Sequence, residues 1–243
     1  MKQRIGYIGL GLMGKPIAHN IMKAGFPLTV HNRSRAPVEE LVAEGAELAD
    51  SPRAVAEASD VVFTNLPDSP DVEQVVLGPN GVIEGCRPGM VFIDNSTIKP
   101  ETARSIASKL AEVEVSALDA PVSGGDVGAK AGTLAIMVGG PRDTFDSILP
   151  IFQAMGKTIT YVGESGAGQV AKACNQIMVA AQMVAMGELL LLAQKSGVDP
   201  RRVIDAIQGG AAQCWALDVK PQRLFAGERQ PGFKAYMQHK DLG

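Results

Sequence analysis

The stretch from Ile5 to Ala24 restricts what this chain can fold into more than any other. A short apolar run at Arg4–Ile8 ends in Gly9-Leu10-Gly11-Leu12-Met13-Gly14, and the residues after Gly14 carry a helical pattern. Three glycines spaced G-x-G-x-x-G are a weak signal alone. Between a strand and a helix they have a physical reading. The first allows a tight turn, the second lets the backbone approach a pyrophosphate, and the third lets helix and strand pack closely. Unpaired N–H groups at the start of the helix then attract phosphate. A glycine turn without a ligand is the plain alternative. The placement favours a dinucleotide loop built from Gly9, Leu10, Gly11, Leu12, Met13 and Gly14.

Beyond this segment, apolar runs alternate with helical stretches. Strands are expected at Arg4–Ile8, Leu28–His31, Val61–Asn65, Val91–Asp94, Val115–Asp119, Leu134–Val138 and Thr158–Tyr161. Several are continuous apolar runs, as in parallel strands covered on both faces. Ser51-Pro52 and Lys99-Pro100-Glu101 open helices between them. The pattern predicts an α/β fold, a Rossmann-type doubly wound sheet over residues 1–163. After Gly163 no strand signal returns. Residues 164–243 read as an all-helical domain opening with one long apolar helix at about 166–195, stopped by Gly197. Asp199-Pro200 caps the next helix, another covers Trp215 to Ala226, and Pro231-Gly232 breaks the chain. The long helix carries Lys172, Asn175, Gln182 and Glu188, a polar load unusual for a membrane span. It is therefore expected to be buried inside protein.

The second strand decides between cofactors. An acidic residue about 20 positions after the glycines binds the ribose hydroxyls of NAD. Here the sequence is His31-Asn32-Arg33-Ser34-Arg35, with two guanidinium groups and no carboxylate. Forked donors of positive charge suit a 2′-phosphate, so Asn32, Arg33 and Ser34 point to NADP(H), with NAD(H) as the possible second cofactor. Arg35 reads equally as a solvated residue at a helix start. Asn65-Leu66-Pro67 and Asn95-Ser96-Thr97 end strands at the edge where ligands bind in such sheets. Helix capping is the bland reading of both. Thr97 stands too far before Glu101 for a capping box, which favours a ligand role.

Asp119-Ala120-Pro121-Val122-Ser123-Gly124-Gly125 offers a hydroxyl and close backbone N–H groups, a nest suited to a carboxylate or else an ordinary turn. Lys172 lies in the first turns of the long helix, with Asn175 three residues on and hence on the same face. Apolar surroundings disfavour a lysine's charged form, the condition for proton donation near neutral pH. The alternative is a solvated lysine on an otherwise buried helix.

Bulk properties remove other classes. A net charge of −3 over 243 residues gives no long-range attraction to nucleic acid or anionic lipid. Residues 1–10 do not read as a signal peptide. The three cysteines, Cys86, Cys174 and Cys214, have no metal or disulfide spacing, which suits a reducing, cytoplasmic setting. His19, His31 and His239 are equally scattered.

The ordered motifs resemble the β-hydroxyacid dehydrogenase family, which includes 3-hydroxyisobutyrate dehydrogenases and tartronate semialdehyde reductases. The matching residues are Ile8 to Gly14, Asp119 to Gly125, Gly168-Gln169-Val170-Ala171-Lys172-Ala173-Cys174-Asn175 and Lys240-Asp241-Leu242. The resemblance implies that Lys172 is the general acid/base, assisted by Asn175. It implies that Ser123, Gly124 and Gly125 hold a substrate carboxylate. Thr97 would lie beside nicotinamide and substrate, and Lys240 would close over both. The implied substrate is a small carboxylated aldehyde or hydroxyacid, and the implied assembly is a homodimer, or a higher homo-oligomer, packed through the long helices. Further helices are implied after Leu242, so the helical domain reads as truncated. Gln213-Cys214-Trp215 departs from the small polar residues of some members. The alternatives are a cofactor-binding regulatory protein on the same fold and an imine reductase, in which the resemblance implies a different residue at 172.

Overall fold

The computed structural model describes residues 2–228 and 234–242. The chain forms two compact units, Met1–Lys172 and Ala173–Gly243, dividing within the long helix. Pro231-Gly232 lies outside the described residues.

The first unit is built on β1 (Ile5–Ile8), β2 (Leu28–His31), β3 (Glu47–Leu48), β4 (Val61–Thr64), β5 (Val91–Asp94) and β6 (Ser116–Asp119), with β7 (Val122–Ser123), β8 (Leu134–Gly139) and β9 (Gly156–Gly163) completing the sheet. The spatial order is β3-β2-β1-β4-β5-β6-β8-β7, with β9 on β8. Strands β1 to β6 are parallel. The order reverses between β1 and β4, and ligands bind beyond the strand ends at such a reversal. Two features differ from the sequence reading. Strands β3 and β7 are two residues each, too short to leave a periodic trace. Strand β8 is antiparallel to β6 and β7, because α7 (Gly125–Ala131) is too short to carry the chain back across the sheet.

Every residue of β1 and β4 is buried, as their unbroken apolar runs require. The pleat sends alternate side chains to opposite faces. Val61 and Phe63 join one core with Tyr7, Ile17 and Phe152, while Val62 joins the other with Val55, Val76 and Leu110. The first core is covered by α1 (Gly14–Lys23), α2 (Ala36–Ala43), α7 and α8 (Arg142–Met155). The second lies under α3 (Pro52–Ala58), α4 (Ser69–Leu77), α5 (Val82–Gly85) and α6 (Pro100–Ala111). Tyr7 and Phe63 stack with centroids 5.8 Å apart, and burying each such side chain contributes about 1.5–3 kcal/mol. Ser51 accepts from Ala54 N at 3.1 Å and caps α3 as expected.

Helix α9 (Ala167–Lys195) runs from the first unit into the second. The second unit adds α10 (Pro200–Ile207), α11 (Trp215–Phe225) and α12 (Ala235–Leu242). Asp199 caps α10 through Arg201 N at 2.9 Å, and Gly197 takes the left-handed φ of 72° that ends α9. Helix α12 carried no periodic signal in the sequence. Among the described residues, α9 is the one helix long and apolar enough to cross a membrane, by length and composition alone. It is not the interior helix that the sequence suggested. Ile177, Met178, Val184, Leu191 and Leu192 are 56–69% exposed. A helix apolar around much of its circumference presents more apolar surface than one contact face can cover.

Candidate active site

The glycine loop stands at the carboxyl end of β1. A side-chain carbon on Gly9 would meet Asn65 O at 2.3 Å, and one on Gly14 would meet Gly9 O at 1.9 Å. Packing alone demands glycine at both positions. At Gly11 the same carbon would meet nothing within 4 Å. Gly11 and Leu12 are exposed at the crest, and Met13 is half-buried behind them. The protein leaves open the space beside Gly11, and a bound pyrophosphate would fill it, so the residues present fit a dinucleotide.

Asn32 shapes this loop directly. Its Oδ1 accepts from Leu10 N at 2.9 Å, and its Nδ2 donates to Ser34 Oγ at 2.8 Å. Arg33, Ser34 and Arg35 are exposed beyond β2. Arg35 begins α2 without a side-chain cap bond. Across the sheet reversal, Asn65 N donates to Ile8 O at 2.9 Å, and Leu66 N donates to Ser96 Oγ at 2.8 Å. Pro67 is exposed beside them.

The register Ile8↔Thr64↔Asp94↔Asp119 aligns the carboxyl ends of four strands. Asn95 and Ser96 lace these ends together. Asn95 Nδ2 donates to Ala120 O at 2.7 Å, while Thr97 is half-buried between Ser96 and Ile98. Asp94 is 3% exposed and accepts from Thr64 Oγ1 at 2.8 Å and Ser96 N at 3.0 Å. Its Oδ2 has no partner among the described residues, and burial pushes the carboxyl up to about 6. Asp94, Asp119 and Ser165 help line a cavity of about 10 Å³, close to the room for one water.

Asp119 does what the sequence did not suggest for it: it caps the long helix. Its Oδ1 accepts from Gly166 N at 2.7 Å and its Oδ2 from Gln169 N at 2.9 Å. Burial raises its pKa while these N–H groups hold it down. Glycine is required at Gly168, where a side-chain carbon would meet Met137 O at 2.4 Å and Asp119 O at 2.6 Å. The first turn of α9 is thereby clamped to the sheet edge. Gln169, 1% exposed, donates through Nε2 to Ser96 O at 2.8 Å and accepts at Oε1 from Ile98 N at 3.1 Å. Lys172 follows one turn later and is 7% exposed. Ser123 closes β7 opposite Ala135, and Gly124 and Gly125 have φ of 135° and 64°. Both φ values lie in the region that favours glycine.

In the second unit, Asn175 Nδ2 donates to Gln176 Oε1 at 2.8 Å. Gln176, 3% exposed, donates in turn to Asp241 Oδ2 at 2.5 Å. Lys240 Nζ lies 2.7 Å from Asp241 Oδ1. Asn175 and Lys240 thus belong to one polar chain running through Gln176 and Asp241.

Residues 4–163 match the NAD binding domain of 6-phosphogluconate dehydrogenase. Residues 166–243 match the NAD-binding domain of NADP-dependent 3-hydroxyisobutyrate dehydrogenase. The 2-hydroxy-3-oxopropionate reductase of Escherichia coli is 43% identical over 98% of this chain and 82% of its own length. The chain belongs to the β-hydroxyacid dehydrogenase family. The dehydrogenase is similar to Mycobacterium tuberculosis 3-hydroxyisobutyrate dehydrogenase, solved with L-serine, at 33% identity and a TM-score of 0.89, covering 99% of this chain and 84% of that one. Psf3, solved with NADP+ and 2-OPP, is 29% identical with a TM-score of 0.92, over 98% and 84% of the two chains. The dehydrogenase is an oxidoreductase that binds a nicotinamide dinucleotide, which sets aside the regulatory-protein alternative. Sequence reasoning passed over Gln169, Gln176 and the capping role of Asp119. The signal was present in the run Gly168 to Gln176, where two glutamines interrupt an apolar helix, but only partners distant in sequence explain them: the backbone of Ser96 and Ile98 for Gln169, and the Asp241 carboxylate for Gln176.

Proposed function

We propose that the dehydrogenase interconverts a small β-hydroxyacid and its semialdehyde or keto form, with NADP(H) preferred. When bound, the nicotinamide supplies or accepts the hydride. Lys172 gives a proton to the substrate oxygen in reduction and takes it back in oxidation, a contribution of roughly 10²–10⁴-fold. Asn175 assists Lys172. Ser123, Gly124 and Gly125 hold the substrate carboxylate by hydroxyl and backbone N–H groups. Thr97 borders nicotinamide and substrate, and Lys240 contributes positive charge toward the cofactor. Gly9 to Gly14 receive the pyrophosphate, with Asn65, Leu66 and Pro67 across the sheet reversal. Asn32, Arg33 and Ser34 receive the 2′-phosphate end.

The observation that carries this reading is the buried Lys172 on a helix whose first turn Asp119 and Gln169 pin to the carboxyl ends of the sheet's strands. The exposed apolar surface of α9 supports a homodimer formed through that helix. The free cysteines fit a cytoplasmic setting.

The test is a panel of small carboxylated semialdehydes, including 2-hydroxy-3-oxopropionate, with NADPH and NADH. Turnover is expected with at least one, and Lys172→Ala should lower kcat by roughly 10²–10⁴-fold. Turnover within a few-fold of wild type in Lys172→Ala would remove Lys172 from the chemistry.

A further inference from the structure

We infer that Gln169 is a positioning residue that sets the place of Thr97 relative to Lys172, an inference that rests on the catalytic reading above. Its side-chain amide makes two hydrogen bonds to the backbone on either side of one residue. Nε2 donates to Ser96 O at 2.8 Å, and Oε1 accepts from Ile98 N at 3.1 Å. The residue between them is Thr97. An amide is the side chain that presents a donor and an acceptor side by side in one plane, so it engages a carbonyl and an N–H of one strand-end loop together. A carboxylate offers only acceptors, and a thioether has no donor.

Gln169 is itself held. Its backbone N donates to Asp119 Oδ2 at 2.9 Å, and the residue is 1% exposed. One residue therefore ties three segments: the end of β6 through Asp119, the loop after β5 through Ser96 and Ile98, and the first turn of α9. Lys172 lies three residues on, one turn along the same face of α9. Losing the clamp frees the loop carrying Thr97 from the helix carrying Lys172. A misplacement of about 1 Å at reacting groups can lower rates about 10²-fold. The glycine loop takes no part in the clamp, so cofactor affinity is expected to survive.

The experiment compares wild type, Gln169→Met, Gln169→Glu and Lys172→Ala as full-length proteins. Amide hydrogen exchange on the cofactor-free proteins reads the clamp. In Gln169→Met the Ile98 amide loses protection, whereas Gln169→Glu, which keeps the acceptor, retains it. Kinetics with 2-hydroxy-3-oxopropionate and NADPH read the function. For Gln169→Met, kcat falls roughly 10- to 100-fold while KM for NADPH stays within about threefold, and the Glu variant recovers part of kcat. Wild-type protection of Ile98 in folded Gln169→Met, or kcat within twofold of wild type, overturns the proposal. Should the Met variant fail to fold, the Glu variant decides: kcat lowered about threefold or more sustains the clamp, and wild-type kcat overturns it. Lys172→Ala separates the two levels. Wild-type turnover there defeats the catalytic reading, while the exchange data still report on the clamp.

Discussion

Asp94 shows how one buried group carries a pH signature. Its folded pKa stands raised, at about 6, because burial disfavours the carboxylate. The folded state therefore binds this proton more tightly than the unfolded chain. The stability it contributes is present below the unfolded carboxylate pKa and is lost as pH rises through about 6. The shift corresponds to about 3 kcal/mol. Asp94→Asn should flatten the fall in urea midpoint between pH 5 and pH 7 relative to wild type, and an unchanged slope would assign the titration elsewhere. Arg33 makes a different residue-scale prediction. It is exposed, and beside it Asn32 already serves the loop through Leu10 N. Arg33→Ala should raise KM for NADPH about tenfold or more while changing KM for NADH little. Equal effects on both cofactors, or a wild-type preference for NADH, would remove the 2′-phosphate from this position.

At the scale of elements, the β1–loop–α1 unit contains two glycines with different reasons to be glycine. Gly14 is required by packing, since a side-chain carbon would press on Gly9 O at 1.9 Å. Gly11 faces open space. Gly11→Ala should leave the melting temperature within a few degrees of wild type and weaken NADPH binding at least about tenfold. Gly14→Ala should lower stability and binding together. If Gly11→Ala binds NADPH like wild type, measured by fluorescence titration, the pyrophosphate does not approach there. The glycine spacing was legible in the sequence, as were the caps at Ser51 and Asp199, because these effects are local. Gln169 and Asp119 were not legible as clamp and cap. Their partners, Ser96, Ile98 and Gly166, are brought to them only by the sheet and the helix start.

At the scale of the molecule, α9 is the feature the chain leaves unfinished. Ile177, Met178, Val184, Leu191 and Leu192 stand exposed along it. Light scattering with size-exclusion chromatography should give twice the chain mass, and Leu191→Glu with Leu192→Glu should shift the protein toward monomer or aggregate. A wild-type monomer at micromolar concentration would leave that surface to another partner. The amphipathic pattern told little here, since a helix apolar on several sides reads as buried whichever molecule buries it.

The alternation of strands and helices apart from β3, β7 and α12, the dinucleotide loop, the helical second part and the residues later placed at the strand ends followed from the sequence, because periodicity, glycine spacing and capping act over a few neighbouring residues. The reversal of β8, the antiparallel β7, the buried proton site at Asp94 and the pinning of α9 by Asp119 and Gln169 were decided by tertiary structure. Each depends on groups far apart in the chain meeting out of water, and burial sets the strength of their hydrogen bonds and the charge they carry. The glycine loop could be read from six residues; the hydrogen bonds of Gln169 to Ser96, Ile98 and Asp119 could be read only once the sheet had gathered its parts.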